Sequence, residues 1–132
     1  LQGQIGLFAN KQYVTLQQAY TAADIFVMPN IPVEGDMEGF GIVLLEANIA
    51  GTPAVASDLE GIKDVIENGK NGFKNPVYDA EGFAEKIDLV ISKHLPEMEI
   101  SSKKYVEDNF AWNSVAKKYI SYLDNVIQRV KS

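Results

Sequence analysis

The chain has 132 residues, 46% of them hydrophobic, a formal net charge of −6 and no cysteine. This is about one domain, large enough for a real core and near the lower end for a whole enzyme. The acid excess and the scattered Lys and Arg speak against a nucleic-acid or anionic-membrane surface, and the missing cysteines exclude disulfide frameworks, thiolate catalysis and Cys-based zinc sites.

A reducing, cytoplasmic compartment fits such a chain. No apolar run approaches the roughly 18 residues of a membrane span, and no basic stretch followed by an apolar signal core stands at the N-terminus, so a soluble chain is expected.

Ile5-Gly6-Leu7-Phe8 reads as a short buried strand almost at the first residue. Domains usually begin with something more polar, so the chain is expected to be part of a longer protein. Thr15 can cap a short helix over Leu16 to Tyr20, with Leu16, Ala19 and Tyr20 on one face. Ile25-Phe26-Val27-Met28, ended by Pro29-Asn30, has the pattern of a parallel strand covered on both faces.

A loop rich in Pro, Gly and acid runs from Pro29 to Gly39. The spacing then predicts a buried helix from Phe40 to Ala50 stopped by Gly51, and a buried strand over Pro53 to Ala56. Ile62 to Glu67 reads as a one- or two-turn helix ended by Asn68-Gly69, and Asn71-Gly72-Phe73 as a turn into an edge strand.

Asp79 caps a helix that places Phe83, Ile87, Val90 and Ile91 on one face. His94-Leu95-Pro96 is expected to break it, with Pro96 opening a helix to about Asn109. The last helix, from about Asn113, carries a long stripe of Val115, Tyr119, Tyr122, Val126 and Val130. Trp112 and these tyrosines read as packing residues, and His94 as a solvated helix-end residue.

Strands alternating with helices imply an α/β fold with a Rossmann-like parallel sheet, whose ligands bind beyond the carboxyl ends of the strands. The loop after Met28 is such an end. It leads to Glu38 and Glu46, which are separated by the seven residues Gly39-Phe40-Gly41-Ile42-Val43-Leu44-Leu45.

A carboxylate in so apolar a helix calls for a polar partner, since burying it alone costs several kcal/mol. The helix N-terminus attracts anionic oxygens, while Glu34, Asp36 and Glu38 beside it would repel a bare phosphate. A ligand with both a diphosphate and several hydroxyls resolves that conflict, with amides at Gly39 to Gly41 facing phosphate and the two acids accepting hydroxyl protons. A nucleotide-sugar has that make-up.

Glu38 to Ala47, followed by Gly51-Thr52-Pro53-Ala54-Val55-Ala56-Ser57, resembles the donor-binding core of the group 1, family 4 retaining glycosyltransferases of the GT-B fold. Ala22 to Pro29, Gly61 to Ile66, Asn68 to Phe73 and Phe110-Ala111-Trp112 are similar to further family segments, so the resemblance covers most of the chain. One departure is Glu60-Gly61, where many relatives carry two glycines.

The resemblance implies that residues 1–132 form part of a C-terminal nucleotide-sugar-binding domain, with a Rossmann-like core over about 4–93 and C-terminal helices over about 96–130. It implies transfer of a hexose from a nucleotide-diphosphate sugar to an acceptor hydroxyl, with retention by a front-face route. Glu46 would bind ribose hydroxyls, Glu38 would face the donor sugar as the catalytic residue, and amides around Gly39, Phe40 and Gly41 would contact sugar and diphosphate. Ile42 would pack close by, and Asn10 and Lys11 would meet the nucleobase.

No cofactor and no tightly bound metal are expected. In the family an Arg and a Lys from upstream segments neutralise the diphosphate. The acceptor, a glycan, lipid or small molecule, would be held mainly by an N-terminal domain outside this chain, as would any peripheral membrane contact; no nucleic-acid partner is expected. The fragment alone is expected to be inactive. The final helix resembles the segment that crosses back to the N-terminal domain.

Plainer readings stand beside these. Glu46 could cap nearby amides, and Glu38 could be an ordinary acid at a helix start. Glu34, Asp36 and Glu38 could hold a hard cation, and Asn10 and Lys11 could be plain loop residues. A GT-B nucleotide-sugar epimerase and a noncatalytic nucleotide-binding or interaction module are the alternative functions.

Overall fold

The computed structural model describes residues 5–7, 9, 13–35 and 41–131. Three parallel strands, β1 (Phe26–Met28), β2 (Ala54–Ser57) and β3 (Gly72–Asn75), form one sheet in that order. Around it run α1 (Tyr13–Ala22), α2 (Ile42–Ile49), α3 (Ala80–Leu89), α4 (Leu95–Phe110) and α5 (Trp112–Lys131). The expected α/β class, a parallel sheet flanked by helices with a helical C-terminal segment, is what the chain adopts.

Register and alternation explain the two cores. Phe26 pairs with Ala54 and Met28 with Ala56, so these side chains share one face. There Met28, Ala54 and Ala56 pack with Leu44 of α2 and with Ile62, Val65 and Ile66. On the other face Val55, paired with Phe73, packs with Phe83, Val90 and Met98. The middle strand β2 is buried at all four residues, as a strand covered on both faces must be.

Several expectations change. Ile5, Gly6 and Leu7 form no strand, and Ile5 and Leu7 are 92% and 93% exposed; apolar residues make a strand only where a neighbouring strand offers its hydrogen bonds, and none among the described residues pairs with them, while Phe8 lies outside those residues. Helix α1 begins at Tyr13 rather than at a Thr15 cap, and of its expected face only Tyr20 is buried. β1 lies at the edge of the described sheet, and Val27 is exposed rather than covered.

Leu59 to Ile66 folds as successive turns instead of a helix. Ile62 N–H reaches the Leu59 carbonyl at 3.1 Å and Ile66 N–H the Ile62 carbonyl at 3.1 Å. Gly61 at φ 81° cannot extend a right-handed helix on its N-terminal side, and so short a segment gains too few bonds to nucleate one.

Asp79 caps α3 as expected, its carboxylate accepting the Gly82 N–H at 2.9 Å. Phe83 and Val90 are buried, whereas Ile91 is exposed. The expected break at His94-Leu95-Pro96 is replaced by a π-helical turn over Val90–His94 that runs directly into α4, with Pro96 in the first turn of α4. Widening the helix there accommodates the proline ring and its missing N–H without ending the helical path. His94 is half-buried, its ring 6.4 Å from that of Phe73.

α5 buries none of its residues. Trp112 is 89% exposed and Tyr119 and Tyr122 are exposed too, so the expected packing of these rings does not occur within the described residues.

Candidate functional site

The site is built at the start and along one side of α2. Gly41 has a left-handed conformation (φ 66°, ψ 38°) and stands as the N-cap, with no side chain capping the helix. A left-handed residue cannot join a right-handed helix, so α2 begins at Ile42 rather than at the expected Phe40. The Gly41 carbonyl accepts the Leu44 N–H at 2.8 Å, and a Cβ at Gly41 would lie 3.1 Å from Leu44 Cδ1. This glycine is therefore required both for its backbone angle and for its contact with the core.

The helix is not buried all round. Leu44, Ala47 and Asn48 face inward, while Ile42, Val43 and Ile49 are exposed. The reason is geometric: a helix lying on one face of a sheet turns the rest of its circumference away from it. Ile42, expected beside the donor, is 64% exposed at the first turn of α2.

Glu46 lies one turn further along and is half-buried. It lines a cavity of about 310 Å³ between α1 and α2, together with Gln17, Tyr20, Thr21, Ile49 and Ala50. Among the described residues its carboxylate has neither a hydrogen-bond donor nor a cation beside it. The plain alternative, a Glu that caps nearby amides, is therefore not realised there.

The carboxylate is instead an acceptor facing a concave, mixed polar and apolar wall. Glu38, Gly39, Phe40, Asn10 and Lys11 lie outside the described residues, as does Asp36; Glu34 sits in an exposed turn with Gly35.

Two buried arrangements hold this wall. The buried Thr52 hydroxyl donates to the carbonyl of Tyr20, tying α1 to the segment after α2, and the Tyr20 ring meets Phe26 edge-on at 5.6 Å. At the same, C-terminal end of α2, Asn48 and Asn71 are both fully buried. The Asn48 amide donates to the carbonyls of Thr52 and Asn71 at 3.0 Å each. The Asn71 amide donates to Asn48 Oδ1 and to the Val65 carbonyl at 2.8 Å each, and its own Oδ1 accepts the Glu67 N–H at 2.8 Å. Every polar group of the pair is satisfied, which buried amides require.

Ser57, at the carboxyl end of β2, is buried with a hydroxyl that has no partner. Its place beside Val55 in the alternation sets it on the α3 side of the sheet, away from Glu46. Glu60, the departure from the two-glycine pattern, is an exposed turn residue paired with Lys63 at 3.1 Å.

Nothing in the sequence pattern singles out Gln17, Thr21 or Asn48, and Asn71 reads there only as a turn residue before Gly72. Gln17, Tyr20 and Thr21 do carry the i, i+3, i+4 spacing of one helix face, but only apolar residues had been read as defining a face. No group of three His, Asp or Glu among the described residues is placed to hold a metal. Among the described residues no helix is long and apolar enough to cross a membrane.

The chain is similar to known proteins. The profile of the family described as Glycosyl transferases group 1 matches residues 1–108. An uncharacterized glycosyltransferase of Methanocaldococcus jannaschii is 34% identical over 113 residues, covering 81% of this chain and 27% of its own length. A phosphatidyl-myo-inositol mannosyltransferase of Mycobacterium leprae is 33% identical over 109 residues, covering 82% of this chain and 28% of its own length.

Among solved structures, sucrose-phosphate synthase from Thermosynechococcus elongatus superposes with a TM-score of 0.65 at 24% identity, over 84% of this chain and 27% of that one; this likeness is one of fold. The chain thus spans little more than a quarter of these relatives. With a profile match over most of its length, the chain belongs to the group 1 glycosyl transferase family.

Proposed function

We propose that the chain is the donor-binding portion, within the C-terminal domain, of a retaining glycosyltransferase that moves a hexose from a nucleotide-diphosphate sugar to an acceptor hydroxyl. The observation that carries this reading is the half-buried Glu46 carboxylate, unpaired among the described residues, in the wall of the α1–α2 cavity. A carboxylate is an acceptor with two oxygens, and the vicinal hydroxyls of a ribose are two neighbouring donors. Among the relatives a mannosyltransferase supports a hexose as the group transferred.

On this reading Gly41 and the uncapped start of α2 turn their amides toward the diphosphate, with Gly39 and Phe40 continuing the same contact. Ile42 offers apolar surface beside it, Glu38 faces the sugar, and Asn10 and Lys11 border the base. Retention follows a front-face course in which the acceptor oxygen bonds to the anomeric carbon as the diphosphate leaves from the same side. The chain's part is to position the donor.

The charge of the leaving diphosphate is met by an Arg and a Lys in segments beyond this chain rather than by a bound metal. The acceptor is held there too.

Calorimetric titration of the full-length polypeptide with UDP-, GDP- and ADP-sugars tests the reading. Glu46→Ala is expected to lower affinity for the preferred donor by about 10- to 150-fold, the equivalent of losing about 1.5–3 kcal/mol of charged hydrogen bonding. Unchanged affinity would show that Glu46 does not hold the ribose.

A further inference from the structure

The cavity beside Glu46 has a second polar wall. Gln17 and Thr21 stand one turn apart on α1, facing Glu46 on α2 across a space of about 310 Å³, at the lower end of the roughly 300–1,000 Å³ typical of ligand pockets. The Thr21 hydroxyl donates to the Gln17 carbonyl at 2.9 Å, which leaves Thr21 Oγ1 only lone pairs to offer a ligand. Glu46 also only accepts.

No Lys or Arg is among the described residues that line the space, and those residues suit a neutral, hydroxylated group and not a phosphate. Among the described lining residues, the Gln17 side-chain amide is the one side-chain N–H donor. A ribose hydroxyl that gives its proton to Glu46 still has two lone pairs, and a donor on the opposite wall completes its hydrogen bonding.

Resting on the reading of Glu46 as the ribose contact, we propose that Gln17 is a specificity-determining residue of the donor site. Its side-chain amide donates to a ribose hydroxyl oxygen whose proton goes to Glu46, so that α1 and α2 together select ribonucleotides over deoxyribonucleotides.

The test uses the full-length polypeptide and the nucleoside diphosphate it binds most tightly, compared by calorimetry with the 2′-deoxy and 3′-deoxy forms. Gln17→Ala is expected to weaken the ribonucleotide about 3- to 10-fold, while one deoxy form, lacking the hydroxyl that Gln17 contacts, stays within about twofold of its wild-type affinity. Gln17→Glu, which cannot donate, is expected to repeat that loss. Gln17 is exposed and alanine is the better helix former, so the variants retain the fold.

Equal weakening of all three nucleotides, no weakening of any, or full affinity in Gln17→Glu would each overturn the assignment. Glu46→Ala, measured in parallel, separates the two ideas. If it weakens the ribonucleotide selectively while Gln17→Ala does not, the Gln17 assignment alone fails. If Glu46→Ala changes nothing, the ribose reading of the cavity fails and takes the Gln17 proposal with it.

Discussion

At the scale of single residues, Gly41 and Tyr105 show how local physics constrains the chain. Gly41 combines a φ of 66° with a core neighbour, Leu44 Cδ1, 3.1 Å from where a Cβ would stand. Gly41→Ala is expected to lower unfolding free energy by about 1–2 kcal/mol, the cost of a side chain in the left-handed region, as read by urea denaturation of the full-length polypeptide.

Tyr105 lies against Glu67 and Lys70 in a cleft between α4 and the turn before β3. Burial first, and the Glu67 carboxylate second, push its phenol above the usual tyrosine value, with Lys70 opposing. A raised folded-state value favours the neutral phenol, so its share of stability is complete below the unfolded tyrosine value of about 10. That share is lost as pH rises through the folded value. The difference in phenolate absorbance between wild type and Tyr105→Phe is expected to titrate above about 10.

At the scale of elements, what aligns α2 with the sheet is the Asn48–Asn71 pair, not helix propensity. Asn71 was legible as a turn former before Gly72, and its role as a buried linker was not: the Asn48 partner is 23 residues away, and spacing along the chain carries no sign of it. Asn71→Ala is expected to orphan Asn48 Oδ1, the Val65 carbonyl and the Glu67 N–H, at about 1–3 kcal/mol for each buried group left unpaired. A drop in the midpoint of chemical denaturation well beyond that of Gly41→Ala checks it.

The helices were the more legible elements, because their apolar periods and the Asp79 cap are local signals. Some errors fell at element boundaries and others on whole short elements, the strand at Ile5 to Leu7 and the helix at Ile62 to Glu67, where tertiary contacts decide. The π-helical turn at Val90–His94 carried the chain through a proline that reads as a stop. The turns at Leu59 to Ile66 took three apolar residues into the core without a helix.

At the scale of the whole molecule, the proposed reading gives the chain one side of a reaction. Its relatives are about three times its length, and α5 carries an unburied stripe of Tyr119, Tyr122, Leu123 and Val126. On the proposed reading, acceptor recognition and the cations that meet the diphosphate belong to the rest of the polypeptide, so the purified 132-residue chain should show no transfer above background with any donor and acceptor pair. Release of nucleoside diphosphate by the chain alone would count against this.

What the sequence by itself determined is the family, the α/β class and the acid at Glu46. Each is written in local pattern: glycines around an apolar helix, Pro and Gly at element ends, and buried runs between helices. The tertiary structure alone decided that α2 turns only one side to the core. It also decided that Glu46 stands unpaired in a cavity, and that Gln17 and Thr21 of α1 form the opposite wall. Those facts depend on how two helices 20 or more residues apart in the chain pack on one sheet, a relation that side-chain volume and buried hydrogen bonds settle and that no short window of residues contains.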